Sequence, residues 1–229
     1  MSTTTTTTTT PQGFSMTVTP LDPSRGLWFQ TASGRIFYPH APRAEDVFLG
    51  DIARSLSMQC RFNGHCEAFY SVAEHSRWVS LRVAPVEELD ILARATSDVG
   101  KQAYQDLVHT GLFGLMHDAA EAYCCDIPRP LKVDLPGYKE IEERNWLAVC
   151  DAFALNPELP QCVHDADVAM LYAERVQVMH PALASLEDWG MGLKSPIDAS
   201  KVRIFGYMPG RASSLFLKRF HELGGKHHG

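Results

Sequence analysis

From Asp51 onward apolar residues recur every three to four positions, the spacing of one face of an α-helix. DIARSLSMQC (51–60) is short and amphipathic. FYSVAEHSRWVSLRVA (69–84) carries Ser71-Val-Ala-Glu74 at capping-box spacing, after which Val72, Ser76, Val79 and Val83 share a face. VEELDILARA (86–95), YKEIEERNWLAVCDAFAL (138–155), PQCVHDADVAMLYAERVQVM (160–179) and RASSLFLKRFHEL (211–223) also read as helices. Leu215, Phe216, Arg219, Phe220 and Leu223 mark one side of the last. LVHTGLFGLMHDAAEAYCC (107–125) predicts an apolar central helix, stopped by Asp126-Ile-Pro-Arg-Pro. Ahead of these helices, LWFQT and RIFYP are two aromatic and β-branched runs split by Ala-Ser-Gly, which predicts a β-hairpin.

The pattern fades at both ends. Residues 1–24 are rich in Thr, Pro and Ser and offer little to bury, so they read as a disordered arm. Residues 25–223 read as a single domain, irregular over the Gly- and Pro-rich stretch 181–210, and 224–229 as a flexible tail. There is no internal repeat. The fold class is all-α, a helical globule with a small N-terminal hairpin.

Composition narrows the function. At 229 residues the chain can bury one sizeable core. A net charge of −6 gives no global attraction to nucleic acid or to an anionic membrane, so a phosphate-bearing substrate would need a local basic pocket. None of the six cysteines forms a CxxC pair, which argues against a thiolate zinc ribbon and fits free thiols in a reducing cytoplasm. No apolar run reaches the length of a membrane span, and no apolar core of a signal peptide follows Met1. The expected location is cytoplasmic.

The anomaly lies in LMHDAAEAYCCDIPRPLK (115–132), where ionisable groups stand on an apolar helix. At 100° per residue Asp118 and Glu121 fall on one side, and His117 and Glu121 are one turn apart. Burying them unpaired costs several kcal/mol. His75 sits among Val72 and Val79; alone it reads as a core histidine satisfied by a hydrogen bond. Asp167 sits among Val163, Ala166, Met170 and Leu171, where a carboxylate is seldom buried unpaired. Three helices thus offer His75, His117 with Asp118, and Asp167 from their apolar faces. Two imidazoles and two carboxylates suit a borderline divalent cation such as Zn, Co or Mn better than Ca or Mg. His164 and Glu174 share the face of Asp167 and are candidate partners that fix the ligands.

The ordered set H…HD…D resembles the signature of the HD-domain phosphohydrolases, all-α metal-dependent phosphatases and phosphodiesterases. The likeness is closest to bacterial 5′-deoxynucleotidases and phage dATP triphosphohydrolases. It is carried by CRFNGHCEAFYSVAEHS, HDAAEAYCCDIPRPLK and HDADVAML, by the front segment FQTASGRIFYP…AEDV and by the closing PGRASSLFLKRFHEL, over residues 28–223. The resemblance implies an HD-type helical bundle with His75, His117, Asp118 and Asp167 as metal ligands, Mg being admitted beside Zn, Co and Mn. It implies Glu121 and Asp126 as the catalytic carboxylates that manage the attacking water and its protons. Arg61 and Lys132 would bind phosphate, with Arg129 a weaker third, and Phe62 would meet the base where relatives often place Trp; Trp28 is a weaker candidate for that task. Cys125 stands where relatives carry a small residue, which puts the local turn in doubt.

The implied reaction is attack on the α-phosphorus of a deoxynucleotide. The reading leans to dATP or another dNTP giving deoxynucleoside and triphosphate; the alternative is a 5′-deoxynucleotidase acting on dNMPs. A non-catalytic nucleotide-sensing module is the competing class. A cyclic-dinucleotide phosphodiesterase is disfavoured, because Gly206-Tyr207-Met208-Pro209 replaces Gly-Tyr-Pro and lies on the wrong side of Asp167. The resemblance also implies dimers or hexamers, with the Trp146 helix and the aromatic closing helix as candidate interface elements.

Overall fold

The computed structural model describes residues 6–9, 15–18, 21–180 and 202–225. It is mostly helical, with small antiparallel sheets near the N-terminus. Strands β1 (Thr6–Thr9) and β2 (Ser15–Val18) pair with each other, as do β3 (Phe29–Gln30) and β4 (Ile36–Phe37). The second pair is the expected hairpin, cut to two residues a side. The helices are α1 (Leu49–Met58), α2 (Val72–Val83), α3 (Val86–Leu92), α4 (Asp98–Met116), α5 (Glu121–Cys124), α6 (Arg129–Asp134), α7 (Tyr138–Phe153), α8 (Gln161–Val178) and α9 (Pro209–Glu222).

The folded body begins earlier than the end of the expected arm. The Asp22 N–H donates to the Tyr38 hydroxyl at 2.7 Å, and Arg25 is buried against Asp46 and the Ala41 carbonyl. A count of apolar residues does not register such polar anchors. Residues 1–5, 10–14 and 19–20 of that arm, and 181–201 of the irregular stretch, lie outside the described residues.

Two glycines decide how α2 and α4 meet. A Cβ on Gly114 would stand 2.9 Å from the Ser80 Cα, and one on Gly111 2.8 Å from the Ala84 Cβ. Only bare backbone allows this approach, and the Ser80 hydroxyl donates across it to the Gly111 carbonyl at 2.8 Å. The close crossing draws His75 of α2 toward His117 at the end of α4. Helix α8 packs on α2 and also touches α4, and it brings Asp167.

The central helix differs from its expected span. It starts at Asp98, capped by the Ser97 hydroxyl, and ends at Met116. A turn on i→i+3 bonds then leads into α5: Ala119 N–H to Met116, Glu121 to Asp118, Ala122 to Ala119 and Tyr123 to Ala120, before Cys125 N–H returns to Glu121 in α-helical spacing. Three residues per turn set i and i+3 in line, which places Glu121 directly over Asp118. Helix α6, which the Pro-rich sequence did not announce, follows.

The capping box at the start of α2 is half formed. The Ser71 hydroxyl accepts from the Glu74 N–H at 3.2 Å. The buried Glu74 carboxylate instead accepts from the backbone N–H groups of Phe205 and Tyr207, at 2.9 and 2.7 Å. Helix α9 lies on α1 and α2 with Phe216 and Phe220 fully buried. The core takes up its aromatic face. The buried Arg219 donates to the Ser80 and Ala84 carbonyls and so caps α2.

Candidate metal centre

His75 is fully buried on α2 and turns its Nε2 toward three groups. His117 Nε2 is 3.3 Å away, Asp167 Oδ1 3.1 Å and Asp118 Oδ2 3.6 Å. His117 Nε2 lies 3.3 Å from Asp118 Oδ1 and 4.0 Å from Asp167 Oδ1. The edges of a coordination shell with bonds of about 2.0–2.1 Å span roughly 3.0–3.4 Å; three of these five separations fall in that range, and the other two, 3.6 and 4.0 Å, exceed it. His75, His117 and Asp167 form a group that could hold a metal ion, and Asp118 adjoins it. The opposite nitrogen of His117, Nδ1, lies 2.9 Å from the Gly114 carbonyl, which aims Nε2 into the cluster.

Charges surround this group on every side. Burial and Arg61 oppose a proton on His75, yet Glu174 and Asp167 outweigh them and raise its pKa to about 9. Burial would raise the Asp167 carboxyl, but His75, followed by His117 and Arg61, holds it well below the usual range. Glu121 behaves in the opposite way. Burial first, and repulsion from Asp118 and Asp126 second, push it well above the usual carboxylate range. Its Oε2 is buried without a hydrogen-bond partner among the described residues. Asp126 is raised too, chiefly by burial.

The basic candidates are close but not free. Arg61 Nη1 is 3.7 Å from Asp118 Oδ2, and Nη2 is 3.2 Å from Glu174 Oε2. Lys132 is ion-paired with Glu142 and lies 3.9 Å from Glu121 Oε1. Phe62 has a left-handed φ of 54°, and the Arg61 guanidinium sits 5.5 Å from its ring centre. A cavity of about 350 Å³ opens beside His117, Asp118 and Glu121 and runs past Lys132 and Lys139 to Trp146. Trp28 is nearly half exposed on the hairpin, and His65 and His164 are exposed. Of the two proposed helpers on α8, only Glu174 is turned inward.

The turn at Cys125 carries the strain that its residue type suggests. Its φ of 70° and ψ of 150° fall in a region almost reserved for glycine. The Tyr138 hydroxyl donates to the Cys125 carbonyl at 2.5 Å and holds the turn. Gln59 braces the same region. Its side-chain amide donates to the Glu121 carbonyl at 3.0 Å and its oxygen accepts from the Asp126 N–H at 2.9 Å. Gln59 did not stand out in the sequence, because it sits alone with no spacing signal.

No family model matches the chain. Over 198 residues it is 34% identical to an Escherichia coli (strain K12) protein described as "uncharacterized protein YfdR", a match that covers 86% of this chain and 95% of the relative. The chain belongs to the YfdR family. That description names no activity, so a function for this YfdR-family chain is argued from its side chains. No described helix is long and apolar enough to cross a membrane.

Proposed function

We propose that the chain is a metal-dependent phosphohydrolase of the HD-domain kind, attacking the α-phosphorus of a deoxynucleotide. The preferred substrate is dATP or another dNTP, with deoxynucleoside and triphosphate as products. The observation that carries this reading is the convergence of His75, His117 and Asp167 on one point, with Asp118, Glu121 and Arg61 around it. His75 and His117 through Nε2, with the Asp118 and Asp167 carboxylates, would hold the ion. A bound Zn, Co, Mn or Mg ion supplies a Lewis acid and an acidified water.

The rest of the chemistry belongs to side chains of this chain. Arg61, 3.7 Å from Asp118, orients phosphate oxygens, and Lys132, which lines the cavity, does so as well. Glu121, with its raised pKa, takes a proton as the water oxygen bonds to phosphorus. That proton passes to the 5′ oxygen as the P–O bond breaks, and Asp126 assists. Phe62 shapes the base pocket. Assembly into dimers or hexamers in the cytoplasm, without nucleic acid or membrane, belongs to the same proposal.

One observation favours a second reading, a 5′-deoxynucleotidase. Lys132 is engaged by Glu142, Arg61 by Glu174 and Asp118, and Glu143 also lines the cavity. A monophosphate needs less surplus positive charge than a triphosphate. The deciding experiment supplies Co, Mn, Zn or Mg in turn with a panel of dNMPs, dNDPs and dNTPs and separates the products. Triphosphate from a dNTP supports the first reading, and phosphate from monophosphates the second. Absence of turnover with every metal sinks both in favour of a nucleotide-sensing module.

A further inference from the structure

Glu174 is fully buried, seven residues after Asp167 on α8, and three groups from two other parts of the chain converge on it. The Tyr70 hydroxyl donates to its Oε1 at 2.8 Å. His75 Nδ1 lies 2.5 Å from the same oxygen. Arg61 Nη2 lies 3.2 Å from Oε2. Arg61 is itself held by backbone, its N–H donating to the Tyr70 carbonyl at 2.9 Å, within a bridge between Cys60 and Ser71. A buried carboxylate persists only when its charge is compensated; here Oε1 takes the hydrogen bonds, and Oε2, which has no hydrogen-bond partner among the described residues, meets the Arg61 charge. Its partners have different tasks. One is a member of the candidate metal group and the other the candidate phosphate-binding cation.

We propose that Glu174 is a positioning residue for both: it turns His75 so that Nε2 faces the cavity, and it anchors the Arg61 guanidinium beside Asp118. A carboxylate that accepts from Nδ1–H leaves the Nε2 lone pair as the ligand atom and makes it more basic. The same carboxylate forms an ion pair with one end of the Arg61 guanidinium, while the other end lies 3.7 Å from Asp118. Tyr70 completes the device by holding Oε1 in place. One side chain therefore sets the distance between cation and anion binding, which two independent anchors would leave free to vary. This inference rests on the metal reading above.

The test compares wild type, Glu174→Gln and Tyr70→Phe, each shown to be folded by circular dichroism. Zinc affinity is measured by competition with a chromophoric chelator, and inorganic phosphate affinity by calorimetry on the zinc-loaded protein. Long-range ¹H–¹⁵N spectra of zinc-loaded protein report which His75 nitrogen carries the proton. Glu174→Gln is expected to weaken zinc binding roughly 10- to 100-fold, the range for a lost outer partner of a ligand. It should also weaken phosphate binding and shift the His75 Nδ1–H resonance. Tyr70→Phe should move all three the same way by a smaller factor, and it serves alone where Glu174→Gln does not fold. A purely structural Glu174 would change melting temperature and leave zinc affinity, phosphate affinity and the proton position unchanged, which overturns the inference alone. Wild type with the proton on Nε2 overturns it as well. Wild type that takes up no zinc overturns the metal reading and this one together.

Discussion

Glu121 combines deep burial, a raised pKa and an oxygen with no hydrogen-bond partner among the described residues. On the proposed mechanism such a group handles protons and does not bind the ion, so the two properties should separate on mutation. Glu121→Ala is expected to keep the bound cation, measured by metal analysis, and to lose turnover by about 10²-fold or more. Turnover at the wild-type level would reduce Glu121 to a structural residue. Cys125 offers a second separation at this scale. Its backbone sits where glycine is at ease and other residues are strained by about 1–3 kcal/mol. Cys125→Gly should therefore raise stability by about 1 kcal/mol in denaturant unfolding, after the extra chain entropy of glycine is subtracted. A fall in stability would mean that the thiol contributes more by packing than the turn costs.

At the scale of elements the decisive contact is α2 against α4. Gly114→Ala places a methyl group 2.9 Å from Ser80 Cα and the Val83 side chain. The helices must part, at a cost of about 1–3 kcal/mol, and His75 parts from His117 with them. A lower melting temperature together with weaker cation binding is the expected result; unchanged binding would show that α8 alone holds the centre together. The helices themselves were legible in the sequence, because each buries one face and repeats it every turn. The ionisable residues His75, His117, Asp118 and Asp167 were legible for the same reason, as interruptions of those faces. The break after Met116 was not, since an i→i+3 turn and an α-helical turn share the same apolar spacing over four residues. Helix α6 was hidden by two prolines, although Pro130 falls in its first turn, where no N–H is needed. The engagement of Lys132 by Glu142 and of Arg61 by Glu174 depends on tertiary approach, and no one-dimensional pattern encodes it.

At the scale of the whole molecule the centre links pH to stability. The His75 pKa is raised from 6.5 to about 9 by Glu174 and Asp167 against the opposing pull of burial and Arg61. A raised pKa means that the folded chain holds the proton more tightly, so this stabilisation is complete below about pH 6.5 and lost as pH climbs through about 9. Asp167 and Glu174 are lowered, so their share is present above the usual carboxylate range and lost as pH falls below it. In chelator, melting temperature should decline between about pH 6.5 and 9. With zinc in excess, where Nε2 would bind the ion and release its proton to solvent, that decline should vanish. The same alkaline decline with and without zinc would contradict the assignment.

Glu74 and His75 are neighbours in sequence with opposite duties. One faces the centre, and the other clasps the N–H groups of Phe205 and Tyr207. The chain's last quarter is thereby stitched to the turn that presents the first ligand. A product that ended near residue 200 would retain His75, His117, Asp118 and Asp167 and still leave a bare buried carboxylate one residue from the centre. Loss of the C-terminal end, through premature termination or proteolysis, is therefore expected to loosen the candidate centre as well.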